Sequence, residues 1–158
     1  MSQPERFDVY GSTVLLDLHN CDASMFTRMH IRKFMKDFCE KFGFTRARLH
    51  FWDYDNDEER RAAPAHLAGV SAVQFLTTSG IVIHTIDKLQ AVYLDIFWCG
   101  ISQSVSPIHP EYIDMQDYAA AFFRGTPVVN THWRGLGVYK SAGLLPPAIS
   151  QLQSRKRT

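Results

Sequence analysis

Little in this chain points outward. It carries only three cysteines, no excess of either charge and no long apolar run. Cys21, Cys39 and Cys99 form no CxxC pair, and an odd number cannot all be bridged within one chain. Such usage fits a reducing, cytoplasmic setting in which each thiol is explained as packing or as chemistry. Seventeen Lys and Arg stand against sixteen Asp and Glu, a net charge of +1, so no global field recruits a nucleic acid or an anionic membrane. The apolar runs fall far short of the roughly eighteen residues that span a bilayer. Residues Met1 to Tyr10 are polar and lack the apolar stretch of a signal peptide. The run Asp55-Asn56-Asp57-Glu58-Glu59-Arg60-Arg61 lacks the glycine and distal Glu of a calcium loop. A solvated loop is expected there, and no metal. What is present is globular: 158 residues, 46% hydrophobic and 21% charged, read as a single domain over 1–158.

The order of elements can be read along the chain. The first ten residues read as a polar arm. Thr13-Val14-Leu15-Leu16-Asp17-Leu18 is rich in β-formers and ends in the turn-forming His19-Asn20-Cys21-Asp22. Asp22 is then expected to cap a helix over Met25 to Phe42. Phe26, Met29, Phe34, Phe38 and Phe42, with Ile31 and Met35, recur there at spacings of three and four. Gly43 is a natural stop. Cys39 falls near that apolar face, and both Cys39 and Cys21 read as packing residues. Arg46 to Tyr54 looks like a strand. Three strand-like runs follow, Val70 to Thr77, Ile81 to Ile86 and Ala91 to Cys99, with separators short enough for an antiparallel meander. Ser102 to Pro110 is loop-like. Asp114 is expected to cap a short helix with Met115, Tyr118, Ala119, Phe122 and Phe123 on one face, and Val128-Val129 to open an edge strand. The tail from Ser141 is expected to fray. These elements predict an α+β fold, a two-layer sandwich with a mainly antiparallel sheet and helices on one face.

The meander also carries chemistry-bearing side chains. Ser71 lies near its start, Ser79 in the Thr77-Thr78-Ser79-Gly80 turn, His84 five residues on, and Cys99 fifteen beyond that. Adjacent strands lie about 5 Å apart, so such a sheet can gather a nucleophile, a titratable base and a thiol. Residue types alone leave this open: a turn serine, a packed histidine and a buried small thiol fit the same positions.

The stretch from Gly69 to Gly100 resembles the core motif of the prokaryotic S-adenosylmethionine decarboxylases. In that family a serine-rich turn precedes an I-H-T run and a D-[IV]-F-x-C-G strand follows, as Ile83-His84-Thr85 and Asp95-Ile96-Phe97-Trp98-Cys99-Gly100 do here. Gly11-Ser12-Thr13-Val14-Leu15-Leu16-Asp17-Leu18-His19-Asn20-Cys21-Asp22 is similar to the family's opening G-x-H-L-L-x-[ED]-x-x-x-C-D. The resemblance implies that Ser79 attacks the Thr78 carbonyl and cleaves the chain into a β chain, 1–78, and an α chain, 79–158. Ser79 is left as a covalent pyruvoyl group, which takes the substrate amine as a Schiff base and serves as electron sink during decarboxylation. The resemblance further implies that His84 moves the processing proton, that Ser71 assists the same step, and that Cys99 reprotonates the product. Asp17 is a weaker carry-over for binding the substrate amine. The implied enzyme acts on a small molecule, S-adenosylmethionine, for spermidine and polyamine synthesis, as a cytoplasmic homodimer.

Some positions depart from the family pattern. Thr78 and Gly80 stand where Glu and His are usual, and Gly80 permits backbone angles closed to other residues. Lys88 stands where a ribose-holding Glu is expected, and an ammonium has no acceptor to offer. Asp87 is the expected deputy. These departures keep two alternatives in view: a relative remodelled to decarboxylate arginine or ornithine, and a non-catalytic paralogue that does not self-cleave.

Overall fold

The computed structural model describes residues 9–54, 56–99 and 110–135. Six strands form one sheet: β1 (Val9–His19), β2 (Arg46–Phe51), β3 (Ser71–Leu76), β4 (Gly80–Ile86), β5 (Ala91–Cys99) and β6 (Thr126–Gly135). Their order across the sheet is β2-β3-β4-β5-β1-β6, and all five pairings are antiparallel. Three helices accompany it: α1 (Arg28–Lys41), α2 (Asp57–Ala62) and α3 (Pro110–Phe123). The expected α+β sandwich is present, with β3, β4 and β5 as its meander.

Period-two alternation decides which side of the sheet is dry. Leu16, Leu18, Ala72, Ile81, Ile83, Val92, Leu94 and Ile96 point to the helices. They join Ile31, Phe34, Met35, Phe38 and Cys39 of α1 and Met115, Ala119 and Phe123 of α3 in one core. Phe34 is its centre, with ring centroids 4.9 Å from Phe123 and 5.2 Å from both Phe38 and Phe122. Met29, expected on the apolar face, is exposed instead. It falls on the side of α1 opposite Ile31, Phe34, Met35, Phe38 and Cys39, because two residues to Ile31 and five to Phe34 break the spacing of three and four.

Helix starts differ from expectation for local reasons. Asp22 caps only the 3-10 turn Ala23–Met25, whereas Thr27 caps α1 by accepting from the His30 N–H. Residues 57–61 of the charge run are helical, not a loop. Asn56 accepts from the Glu59 N–H while its side-chain amide donates to the Glu59 carboxylate, so α2 begins in a side-chain cap with capping-box spacing. Acidic residues fill its first turn and Arg60 and Arg61 its last, complementing the helix dipole. Helix α3 starts at Pro110 rather than after Asp114, and a proline is well tolerated in a first turn. The polar arm before Val9, the loop over 102–109 and the tail from Ser141 lie outside the described residues.

Candidate functional site

The sheet face away from the helices holds the chemistry-bearing side chains in three transverse rows. Register pairs Ser71 with His84, His84 with Tyr93, and Tyr93 with Asp17 in the first row. The second row runs Val73, Val82, Asp95, Leu15. The third runs Phe75, Gly80, Phe97, Thr13. Within a row, neighbours are about 5 Å apart; between rows, two residues separate positions by roughly 7 Å.

The first row contains a formed pair. The Ser71 hydroxyl and His84 Nδ1 lie 2.5 Å apart, with Ser71 only 6% exposed. Burial pushes the imidazole below its usual pKa, which favours the neutral ring. A neutral ring can take a proton. Asp17 is half-buried opposite Tyr93, so it belongs with this pair rather than with Ser79.

The third row borders the proposed cleavage point. Thr77, Thr78 and Ser79 join β3 to β4, and the Leu76 N–H donates to the Ser79 carbonyl at 3.0 Å. The half-buried Ser79 lines a 360 Å³ cavity with Thr78, Gly80, Val82, Asp95 and Phe97. Gly80 is outside the left-handed region, and a Cβ there would come no nearer than 3.7 Å to the Gln74 carbonyl. The expected conformational freedom of this glycine is therefore unused. Cys99 lies two residues beyond Phe97, the partner of Gly80, and pairs with Gly11. Its backbone thus stands level with the turn; its side chain lies outside the described residues.

The structure brings Ser71 and His84 together and holds them apart from Ser79. Five residues of extended chain separate Ser79 from His84, roughly 16 Å at strand rise. Direct proton transfer needs about 3 Å. Equal spacing in sequence gave no hint of this, because residues along one strand recede steadily.

Asp87 is engaged by a neighbour. Arg60 grips both of its oxygens, with Nε 2.7 Å from Oδ2 and Nη2 2.5 Å from Oδ1, and donates also to the Phe26 carbonyl at 2.8 Å. The carboxylate ties α2 to the end of β4, so it meets any ligand already paired with a guanidinium. Lys88 is exposed beside it. Cys21 and Cys39 are buried, and desolvation pushes both thiols up to about 11, consistent with their reading as packing residues.

Sequence reasoning passed over Thr13 and Asp95. Thr13 Oγ1 and Asp95 Oδ1 are buried without a hydrogen-bond partner. A signal existed, since Asp95 is the sole charged residue of Ala91–Cys99. Among the described residues no cluster of His, Cys, Asp and Glu could hold a metal, and no helix is long and apolar enough to cross a membrane.

Comparison with known proteins gives this arrangement a lineage. The crystal structure of the adenosylmethionine decarboxylase from Aquifex aeolicus VF5 matches with a TM-score of 0.63 at 20% identity. The match covers 85% of this chain and 98% of that one, and at such identity it establishes the fold. No curated protein matches the sequence. The profile of the S-adenosylmethionine decarboxylase family matches residues 12–123, a span containing Ser71, Ser79, His84 and Cys99. The chain therefore belongs to the S-adenosylmethionine decarboxylase family.

Proposed function

We propose that the protein is a self-cleaving, pyruvoyl-dependent S-adenosylmethionine decarboxylase that serves polyamine synthesis. The observation that carries this reading is the Ser79 turn at the lip of a cavity, on the same sheet face as a partly buried Ser71–His84 pair. Residues 77–79 fit the group's formation: a half-buried serine in a short turn, with the preceding Thr78 exposed. Ser79 Oγ adds to the Thr78 carbonyl carbon, and the C–N bond breaks to leave an ester. Neutral His84 then takes the Ser79 Cα proton, Thr78 departs as a carboxylate, and the dehydroalanine at position 79 hydrolyses to a ketone with loss of ammonia. Ser71, bonded to the ring, orients it. The pyruvoyl carbonyl supplies the electrophile that accepts the substrate amine and draws electron density as CO₂ leaves. Cys99, whose backbone pairing with Gly11 brings it level with the turn, returns a proton to the product.

His84 is too far from Ser79 to act within one chain, so the working unit is a homodimer. A twofold axis parallel to the helix-free face and directed along the second row stacks the two faces and lays the first row of one copy over the third row of the other. His84 of one protomer then serves Ser79 of its partner. Phe75 (48% exposed) and Val82 (38%) on that face give such a contact apolar surface.

A second substrate reading, arginine or ornithine, is favoured by Lys88, which stands where a ribose-holding Glu is expected, and by the pairing of Asp87 with Arg60. Intact-mass analysis tests cleavage: fragments 1–78 and 79–158 are expected, the second with a blocked, borohydride-reducible terminus. A chain that stays whole refutes the proposal and leaves the non-catalytic paralogue. CO₂ release from carboxyl-labelled S-adenosylmethionine, arginine and ornithine then assigns the substrate. Cys99→Ala should leave cleavage intact and lower turnover.

A further inference from the structure

The cavity beside Ser79 is lined mainly by turn residues and by Val73, Phe75, Val82 and Phe97, with Asp95 as its ionisable residue. Asp95 Oδ1 is buried without a partner, and so is Thr13 Oγ1. In the register Thr13 faces Phe97 and Leu15 faces Asp95, so Thr13 and Asp95 are diagonal neighbours across β1 and β5. Diagonal positions are about 7 Å apart at the backbone, close enough for two side chains to share one ligand atom. A carboxylate only accepts hydrogen bonds, and a threonine hydroxyl can also accept. Asp95 lines the mainly apolar cavity, and its unpartnered oxygen, with the Thr13 hydroxyl diagonal to it behind the lining, calls for a cationic donor.

We infer that Asp95, assisted by Thr13, docks the α-ammonium group of the incoming amino acid beside position 79. This rests on the reading of Ser79 as the reacting position. It replaces Asp17, which the register places in the His84 row, as the carboxylate that receives the substrate amine. It also holds for any of the substrates considered, because each enters as an α-ammonium. Asp95 contributes to capture and placement of the nitrogen; the chemistry that follows belongs to the group at position 79.

The test compares the parent chain with Asp95→Asn and Thr13→Val, both near-isosteric, by mass spectrometry of fragment 79–158. Each is incubated with S-adenosylmethionine, arginine or ornithine under cyanoborohydride, which fixes any captured amine covalently. Methoxyamine, a carbonyl reagent that is uncharged at neutral pH, provides the reference. Asp95→Asn should require at least roughly tenfold more amino acid for half-maximal labelling, the loss expected for one charge-assisted hydrogen bond. Its labelling by methoxyamine should be unchanged. Thr13→Val should show a smaller shift in the same direction. Unchanged amino-acid dependence in Asp95→Asn, as when only water bridges the two groups, overturns the inference and leaves the proposed function standing. Equal slowing with both reagents overturns it too, because Asp95 is then merely structural. A folded Asp95→Asn chain that fails to cleave assigns Asp95 to processing and also overturns it. Should Asp95→Asn not fold, the test passes to Thr13→Val, where unchanged dependence overturns the inference. A parent chain that does not cleave overturns the proposed function and this inference with it.

Discussion

A mixed-dimer experiment decides whether cleavage occurs in trans. Ser79 and His84 are five residues apart on extended chain, roughly 16 Å along the strand, against the 3 Å or so of proton transfer. Neither side-chain rotation nor local breathing closes that gap while β4 stays paired on both sides, as its registers with β3 and β5 require. His84→Ala alone should therefore remain whole, because every site lacks the base, and Ser79→Ala alone should remain whole for want of the nucleophile. Co-expressed, the two chains rebuild one complete site per heterodimer: Ser79 from the first and His84 from the second. With equal expression and random pairing, about half of the His84→Ala chains sit in heterodimers and should be cleaved. The assay is intact mass on differently tagged chains after tandem affinity capture, so that only mixed dimers are weighed. Captured heterodimers in which the His84→Ala chain stays whole would refute the trans assignment. Cleavage of His84→Ala by itself would refute the role of the histidine altogether.

What the sequence revealed and what it hid follow from the range of the interactions concerned. The meander was legible because Val70–Thr77, Ile81–Ile86 and Ala91–Cys99 each form a β-rich run bounded by turn residues, a purely local signal. The strand boundaries moved by a residue at most. Helix α2 was missed because it buries nothing and shows no apolar period; its local signal was the capping-box spacing of Asn56-x-x-Glu59. The Arg60–Asp87 pair joins residues 27 apart through tertiary packing, so no local pattern could announce that Asp87 was occupied. Asp95 was quoted as part of a motif and given no role. Its significance comes from being buried without a partner beside Ser79, which only packing reveals. The site's central feature, a Ser71–His84 pair held apart from Ser79, was hidden because sequence spacing along a strand is distance, whereas spacing across a turn is proximity.

Three further perturbations probe the same geometry. Because burial holds the His84 pKa below 6.5, the neutral base persists into mildly acidic solution, and the acid limb of self-cleavage should have its midpoint below pH 6.5. The sign for stability is the same: the unfolded chain binds this proton first as pH falls, so stability declines through that window. A midpoint at or above 6.5 in a pH series of cleavage rates contradicts it. Asp87→Asn should lower stability to urea by about 1–2 kcal/mol, since the pair is only partly buried. A change in KM without loss of stability would return Asp87 to the substrate site. The glycines offer the sharpest contrast. A Cβ on Gly69 would fall 1.6 Å from the Thr85 carbonyl oxygen and 2.6 Å from its carbon, both backbone atoms in a strand pair. That contact is fixed on the β4 side by the Thr85 N–H donating to the Val70 carbonyl at 2.9 Å, and by the Val70 N–H donating to Thr85 Oγ1 at 2.8 Å. The strands must therefore part next to the Ser71–His84 pair, and Gly69→Ala should cost about 3 kcal/mol and slow cleavage as well. Gly80→Ala meets nothing closer than 3.7 Å and needs no unusual φ, so it should change stability by less than about 0.5 kcal/mol and leave cleavage intact. If Gly80→Ala proves the more damaging of the two in paired urea melts and cleavage assays, the glycine at the cleavage turn is needed for a conformation other than the one described, and the turn geometry given for Ser79 is wrong.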